Sequence, residues 1–211
     1  MAPLRKETFI FGGMTRYNTS RPMNRLLRIT LQIALGFGLM LLATGCAEKS
    51  TDRYAHIRAF LQFRPVSASA PLLSAVSNQG MFCTIRIGTS QFLFTGPTGT
   101  SSSWPITDVV RNYGQPECVA GFVVGIASTP DLHGQMPLLA YDLACPNCYA
   151  GDAMITKELT LSGERLSCSR CHRIYDLQSD GIVVSGDPGQ PLLRYRSVVY
   201  NQANDLLVIM N

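Results

Sequence analysis

Several kinds of chemistry lack their residues in this chain. It has no G-x-S-x-G elbow, no H-E-x-x-H helix and no phosphate-binding glycine loop. The corresponding serine-hydrolase, metalloprotease and nucleotide-binding sites therefore have no support. Histidine occurs only as His56, His133 and His172. The acidic residues Asp142, Asp152, Glu158, Glu164 and Asp176 form no paired-carboxylate arrangement suited to acid–base work. Repeats, heptads and low-complexity tracts are absent, which excludes solenoids and coiled coils. Helix-period apolar runs are few, while glycine and proline are frequent, and this balance leans towards β structure.

A basic surface is also missing from most of the chain. The net charge is +4, but six basic residues and one acidic residue precede Cys46, which leaves the remainder at −1. The excess sits at the N-terminus and gives no footprint for nucleic acid.

What is there begins with that N-terminal stretch. Arg25 and Arg28 precede an apolar run at 29–43, broken only by Thr30 and Gln32. The run has about 15 residues, short of the ~20 that a helix needs to span a bilayer. Small residues follow, in Leu42-Ala43-Thr44-Gly45-Cys46. These are the parts of a secretory signal. With its cysteine after Thr-Gly, the stretch resembles a bacterial lipoprotein signal, which implies a leader at 1–45, lipidation of Cys46 and an N-terminal lipid. Ala43 stands where that signal usually has leucine. An uncleaved anchor is the alternative, and either way the domain lies outside the cytoplasm beside a membrane. Met23 opens a tidier signal than Met1, so the first 22 residues could reflect a start placed too early. Residues 46–65 then form the lipidated cysteine and a tether, and 66–211 the folded domain.

Within that domain the pattern is of short strands. Residues 54–63 could form a helical turn or a first strand, and 66–75, rich in Ser, Ala and Pro, read as an extended connection. Residues 81–87 and 91–95 flank a Gly88-Thr89-Ser90 turn, and 96–103 read as an exposed Gly/Ser/Thr loop. A short helix at 104–113 would bring Trp104 and Val109 into the core. Strands follow at 119–128 and 137–143, about a turn at 131–135. Hairpins are expected about Ser162-Gly163 and about Ser179-Asp180-Gly181, and strands at 192–200 and 206–210 close the chain. The expected fold is all-β, an antiparallel sandwich or small barrel with two cysteine-knuckle loops at one end.

Those knuckles are Cys145-Pro146-Asn147-Cys148 and, after 19 intervening residues, Cys168-Ser169-Arg170-Cys171, followed by His172. Each C-x2-C pair can set two thiolates on one side of a tight turn, and two turns complete a four-sulfur shell. Thiolates suit zinc, iron–sulfur or mononuclear iron rather than hard cations. Disulfides are the competing reading for an exported protein. Thioredoxin-type thiol exchange would need a βαβ context that is absent here. His172 is a candidate second-sphere group or replacement ligand, while His56 and His133 read as solvated. Cys83 and Cys118 could pair or remain buried thiols. Arg194 and Arg196 alternate on one strand and share a face.

At these residues the chain resembles the Rieske iron–sulfur family. That family has a C-x-H-x-x-C box, a second box C-x-C-H-G-S-x-Y/F-D and a Gly/Pro loop. Here the second box reads Cys168-Ser169-Arg170-Cys171-His172-Arg173-Ile174-Tyr175-Asp176, with Cys168, Tyr175 and Asp176 in register. Tyr141-Asp142-Leu143-Ala144-Cys145-Pro146 resembles the strand entering the first box. Gly186-Asp187-Pro188-Gly189-Gln190-Pro191 resembles the loop that covers the cluster, which singles out Gly186, Pro188 and Pro191. The likeness spans 122–211. It departs at the ligands. Asn147 and Cys171 stand where the two histidines belong, Cys148 comes one residue late, and Ala150 and Arg170 occupy the positions of the family's disulfide.

The resemblance thus implies a bacterial lipoprotein with a Rieske-like domain and altered ligands. Two histidines on one iron raise the potential to roughly −150 to +300 mV, against about −400 mV for four cysteines, so quinol chemistry is disfavoured. Four thiolates fit zinc at least as well, and a filled shell leaves no catalytic position. The expected function is a structural zinc domain, not an enzyme, lipid-anchored in the cell envelope at the outer membrane and serving an unidentified envelope protein. The alternatives are a [2Fe–2S] or mononuclear-iron electron carrier and a disulfide-stapled, adhesion-like lipoprotein.

Overall fold

The structure is a computed structural model in which residues 54–151 and 156–211 are described. The expected leader, Cys46 and residues 47–53 of the expected tether lie outside the described residues. Strand β1 (Phe60–Phe63) is followed by β2 (Phe82–Ile87), β3 (Gln91–Thr95), β4 (Ser101–Pro105), β5 (Phe122–Ile126) and β6 (Leu138–Asp142). Short hairpin strands come next: β7 (Thr160–Ser162), β8 (Arg165–Ser167), β9 (Ile174–Asp176) and β10 (Ile182–Ser185). β11 (Ser197–Asn201) and β12 (Leu206–Met210) close the chain. They form a five-stranded sheet in the order β4-β3-β2-β5-β6, a three-stranded sheet β1-β12-β11 and a four-stranded sheet β10-β9-β8-β7. Every strand pairing is antiparallel, and none of these sheets closes into a barrel. The all-β antiparallel expectation holds, and the barrel variant does not.

The central strands carry apolar residues on both faces because both faces are covered. Phe122 and Val124 of β5 enter one core with Leu61, Phe63, Phe92, Phe94 and Ile209. Val123, between them, enters a second core with Tyr141, Leu143, Leu166, Tyr175 and three of the knuckle cysteines. Alternation along a strand sends neighbouring side chains to opposite faces. Each large apolar side chain buried this way contributes about 1.5–3 kcal/mol.

Four local expectations are corrected. Residues 66–75 are not extended: a 3-10 turn (Val66–Ala68) leads into helix α1 (Ala70–Ser77). The Ser69 hydroxyl accepts from the Leu72 N–H at 3.4 Å, and Pro71 falls in the first turn, where its missing N–H costs nothing. The second half of the 96–103 loop is edge strand β4, which pairs with β3; Ser101 and Ser103 face water, while Ser102 is half-buried with its hydroxyl 2.8 Å from that of Ser69. Helix α2 (Asp108–Tyr113) forms as expected, but Val109 is 69% exposed, and Ile106 and Val110 pack instead. Residues 60–63 of the expected tether are strand β1, which pairs with β12 and buries Leu61 and Phe63. Among the described residues no helix is long and apolar enough to cross a membrane.

Candidate metal centre

The first knuckle grows from the end of β6. Asp142, fully buried, accepts from the backbone N–H groups of Val119 (2.8 Å), Ala120 (3.2 Å) and Ala144 (2.7 Å) and from the Tyr195 hydroxyl. The carboxylate thereby ties the chain entering β5 to the chain leaving β6. Cys145 follows, its N–H bonded to the Lys157 carbonyl at 2.8 Å, and α3 (Pro146–Gly151) starts at once. Proline suits a first helical position, and residues three apart on a helix share a side, so Cys145 and Cys148 face the same way.

The second knuckle is the connection between β8 and β9. The Cys168 N–H donates to the Arg173 carbonyl, and the His172 N–H donates to the Cys168 carbonyl, each at 3.0 Å. His172 has φ 57°, the left-handed conformation that turns the chain back sharply.

Together the turns bring four thiols to one point. The Sγ atoms of Cys145, Cys148, Cys168 and Cys171 all lie within 4.8 Å of one another. The close pairs run between knuckles, Cys145 to Cys171 at 3.6 Å and Cys148 to Cys168 at 3.8 Å. A tetrahedral site with metal–sulfur bonds of ~2.3 Å has sulfur–sulfur edges of about 3.8 Å. None of the four is disulfide-bonded. The four cysteines could hold a metal ion.

Polar groups surround the sulfurs. The Tyr175 hydroxyl lies 3.2 Å from Cys145 Sγ, and Asn147 Nδ2 donates to the same hydroxyl at 2.9 Å. Asn147 also donates to the Gln190 carbonyl and accepts from the Gln190 N–H, both at 2.9 Å. Arg173 donates through Nε to the Asp187 carbonyl at 2.9 Å and through its terminal nitrogen to Pro188 at 3.3 Å. The loop containing Gly186, Pro188 and Pro191 is thus fastened to both knuckles. Gly186 has φ 93°, and a Cβ at Gly189 would overlap the Asn147 amide, so the loop needs glycine at both positions.

Burial and hydrogen bonds pull the thiols apart in acidity. Burial pushes Cys148 up to about 12 and raises Cys145. Cys171 is also raised by burial, but the backbone and side chain of Arg173, with the neighbouring thiols, outweigh this and bring it to about 6. Burial raises Tyr175 as well. The neutral phenol is therefore the species beside Cys145 near neutral pH, and it can donate to a thiolate.

His172 is exposed and stands outside the four-sulfur group. His133 is exposed in the turn held by Asp131, whose carboxylate takes its N–H at 2.8 Å. His56 is exposed near the start of the described chain. Cys83 and Cys118 are free, not paired, and burial pushes each up to about 12. Asn147 and Asp142 were invisible as supports: their partners Gln190 and Tyr195 lie 43 and 53 residues away. No protein-family model matches this chain, and no curated protein matches it either.

Proposed function

We propose that this chain is an exported lipoprotein whose Rieske-like β domain binds one structural zinc ion through Cys145, Cys148, Cys168 and Cys171. One observation carries the metal part of this reading: four thiols within 4.8 Å of one another. A single ion accepts four sulfurs at that spacing. A two-iron cluster divides its ligands between two metals and sets the two pairs further apart. Zinc adds no redox chemistry and, with four protein ligands, offers no position to substrate. The ion would cross-link the turn after β6 to the β8–β9 turn and so fasten the four-stranded sheet to the central one. Four thiolates around a dication leave an excess of negative charge, which Arg173 beside Cys171 offsets in part. The domain would act as a binding module of the cell envelope rather than an enzyme, anchored at the outer membrane by a lipid on Cys46 and presented to an envelope protein.

The deciding experiment is elemental analysis with visible spectroscopy on full-length protein prepared anaerobically. A colourless protein with about one zinc per chain supports the reading. Iron, with visible sulfur-to-iron absorption and a reversible redox wave, overturns it. A metal-free protein with all four cysteines oxidised under denaturing, non-reducing conditions overturns it too.

A second reading is favoured by the Tyr175 hydroxyl at 3.2 Å from Cys145 Sγ. Hydrogen bonds to sulfur tune the potential of an iron centre. The half-buried Cys171 would be the sulfur nearest to a redox partner.

A further inference from the structure

A cleft of about 230 Å³ opens where β1 meets α2, with Gln62, Arg64, Phe92, Trp104, Val110 and Tyr113 in its lining. It belongs to the first core, whereas the cysteines belong to the second. Within the lining, Phe92 is buried at 1% exposure and Tyr113 is 87% exposed. An aromatic side chain so exposed, on a helix whose neighbour Val109 is also open to water, leaves apolar surface unburied unless something occupies the space beside it. Arg64 is the one charged residue in the lining, no acid lines the cleft, and Arg64 forms no ion pair among the described residues. Gln62, two residues before it, is exposed and adds amide donors.

We propose that this cleft binds a small organic monocarboxylate, its apolar body against Phe92, Trp104 and Tyr113 and its carboxylate met by Arg64. Aromatic walls with one convergent cation select an apolar anion: a neutral ligand would forfeit the charged contact, and a dianion would find a single partner. The volume restricts the body to about the size of one ring with a short chain. The site is independent of the metal centre and does not rest on its identity.

Trp104 is the sole tryptophan of the chain and lines the cleft, so it reports on occupancy. The experiment titrates full-length protein with 3-phenylpropionate and with 3-phenylpropan-1-ol. It follows Trp104 fluorescence and, independently, saturation transfer to the ligand protons by NMR. The acid is expected to saturate, and the alcohol to bind about tenfold more weakly. Arg64→Gln should weaken the acid by a similar factor and leave the alcohol unchanged. Tyr113→Ala, at a position too exposed to affect folding, should weaken both. Equal binding of acid and alcohol, an acid affinity unmoved by Arg64→Gln, or no saturable response in either readout would overturn the proposal.

Discussion

Asn147 and Gln190 clasp one another twice: the Gln190 N–H donates to Asn147 Oδ1, and Asn147 Nδ2 donates to the Gln190 carbonyl, both at 2.9 Å. Asn147 lies inside the first knuckle, and Gln190 belongs to the loop beyond β10. Asn147→Ala removes both bonds and the contact with Tyr175. A loss of about 1–3 kcal/mol is expected in urea unfolding, with the Gln190 amide exchanging much faster by NMR. An unchanged exchange rate would show that the loop is held by Arg173 alone.

Cys148→Ser and Cys83→Ser separate the roles of the two kinds of cysteine. Cys148 is one of the clustered four, and Cys83 is buried in the other core. Bound metal should fall to near zero in Cys148→Ser, with the melting temperature down by roughly 10 °C or more. Full metal content should persist in Cys83→Ser. Chelation of the wild-type protein should reproduce the Cys148→Ser melting curve.

Tyr175→Phe keeps the buried ring and removes only the hydroxyl beside Cys145 Sγ and Asn147. Metal stoichiometry should be unchanged, stability should fall by about 1 kcal/mol, and release to chelator should quicken. If the centre proves to be iron, the same variant should lower its potential, since a hydrogen bond to sulfur favours the reduced state.

Asp142→Ala strips the acceptor from three backbone N–H groups and the Tyr195 hydroxyl at once. The expected cost is at least ~3 kcal/mol by chemical denaturation, with metal binding weakened because Ala144 loses its place beside Cys145. A mild effect would mean that water replaces the carboxylate.

Asp205 supplies a pH dependence. Bonds from the Ser67 hydroxyl and N–H hold its carboxyl below the usual range, and Tyr200 adds a third donor at 3.4 Å. A carboxylate depressed in the folded state stabilises it fully above the unfolded pKa of about 3.9 and loses that effect as pH falls through the folded value. The wild-type melting advantage over Asp205→Asn should therefore be present at pH 7 and shrink below about pH 4.

The cysteine site was legible because its signal is local: two C-x2-C pairs announce two turns, whatever lies between them. The hairpins about Gly163 and Gly181 were legible for the same reason, with φ 58° and 71° at those glycines. Residues whose role depends on distant partners were not. Asn147 drew notice only as a missing histidine, and its amide instead fastens a loop. The serines of β4 read as a loop, since an edge strand facing water lacks the apolar alternation that marks a strand. The 66–75 stretch misled because Ser, Ala and Pro serve a capped helix start as well as an extended chain.

Three of the four clustered thiols sit in the second core beside Leu159, Leu166, Leu177 and Leu192, and only Cys171 is half-buried. This placement makes the group one-sided. An ion held there would have protein packed behind three of its sulfurs and its one open side at Cys171, the side from which a chelator would reach it.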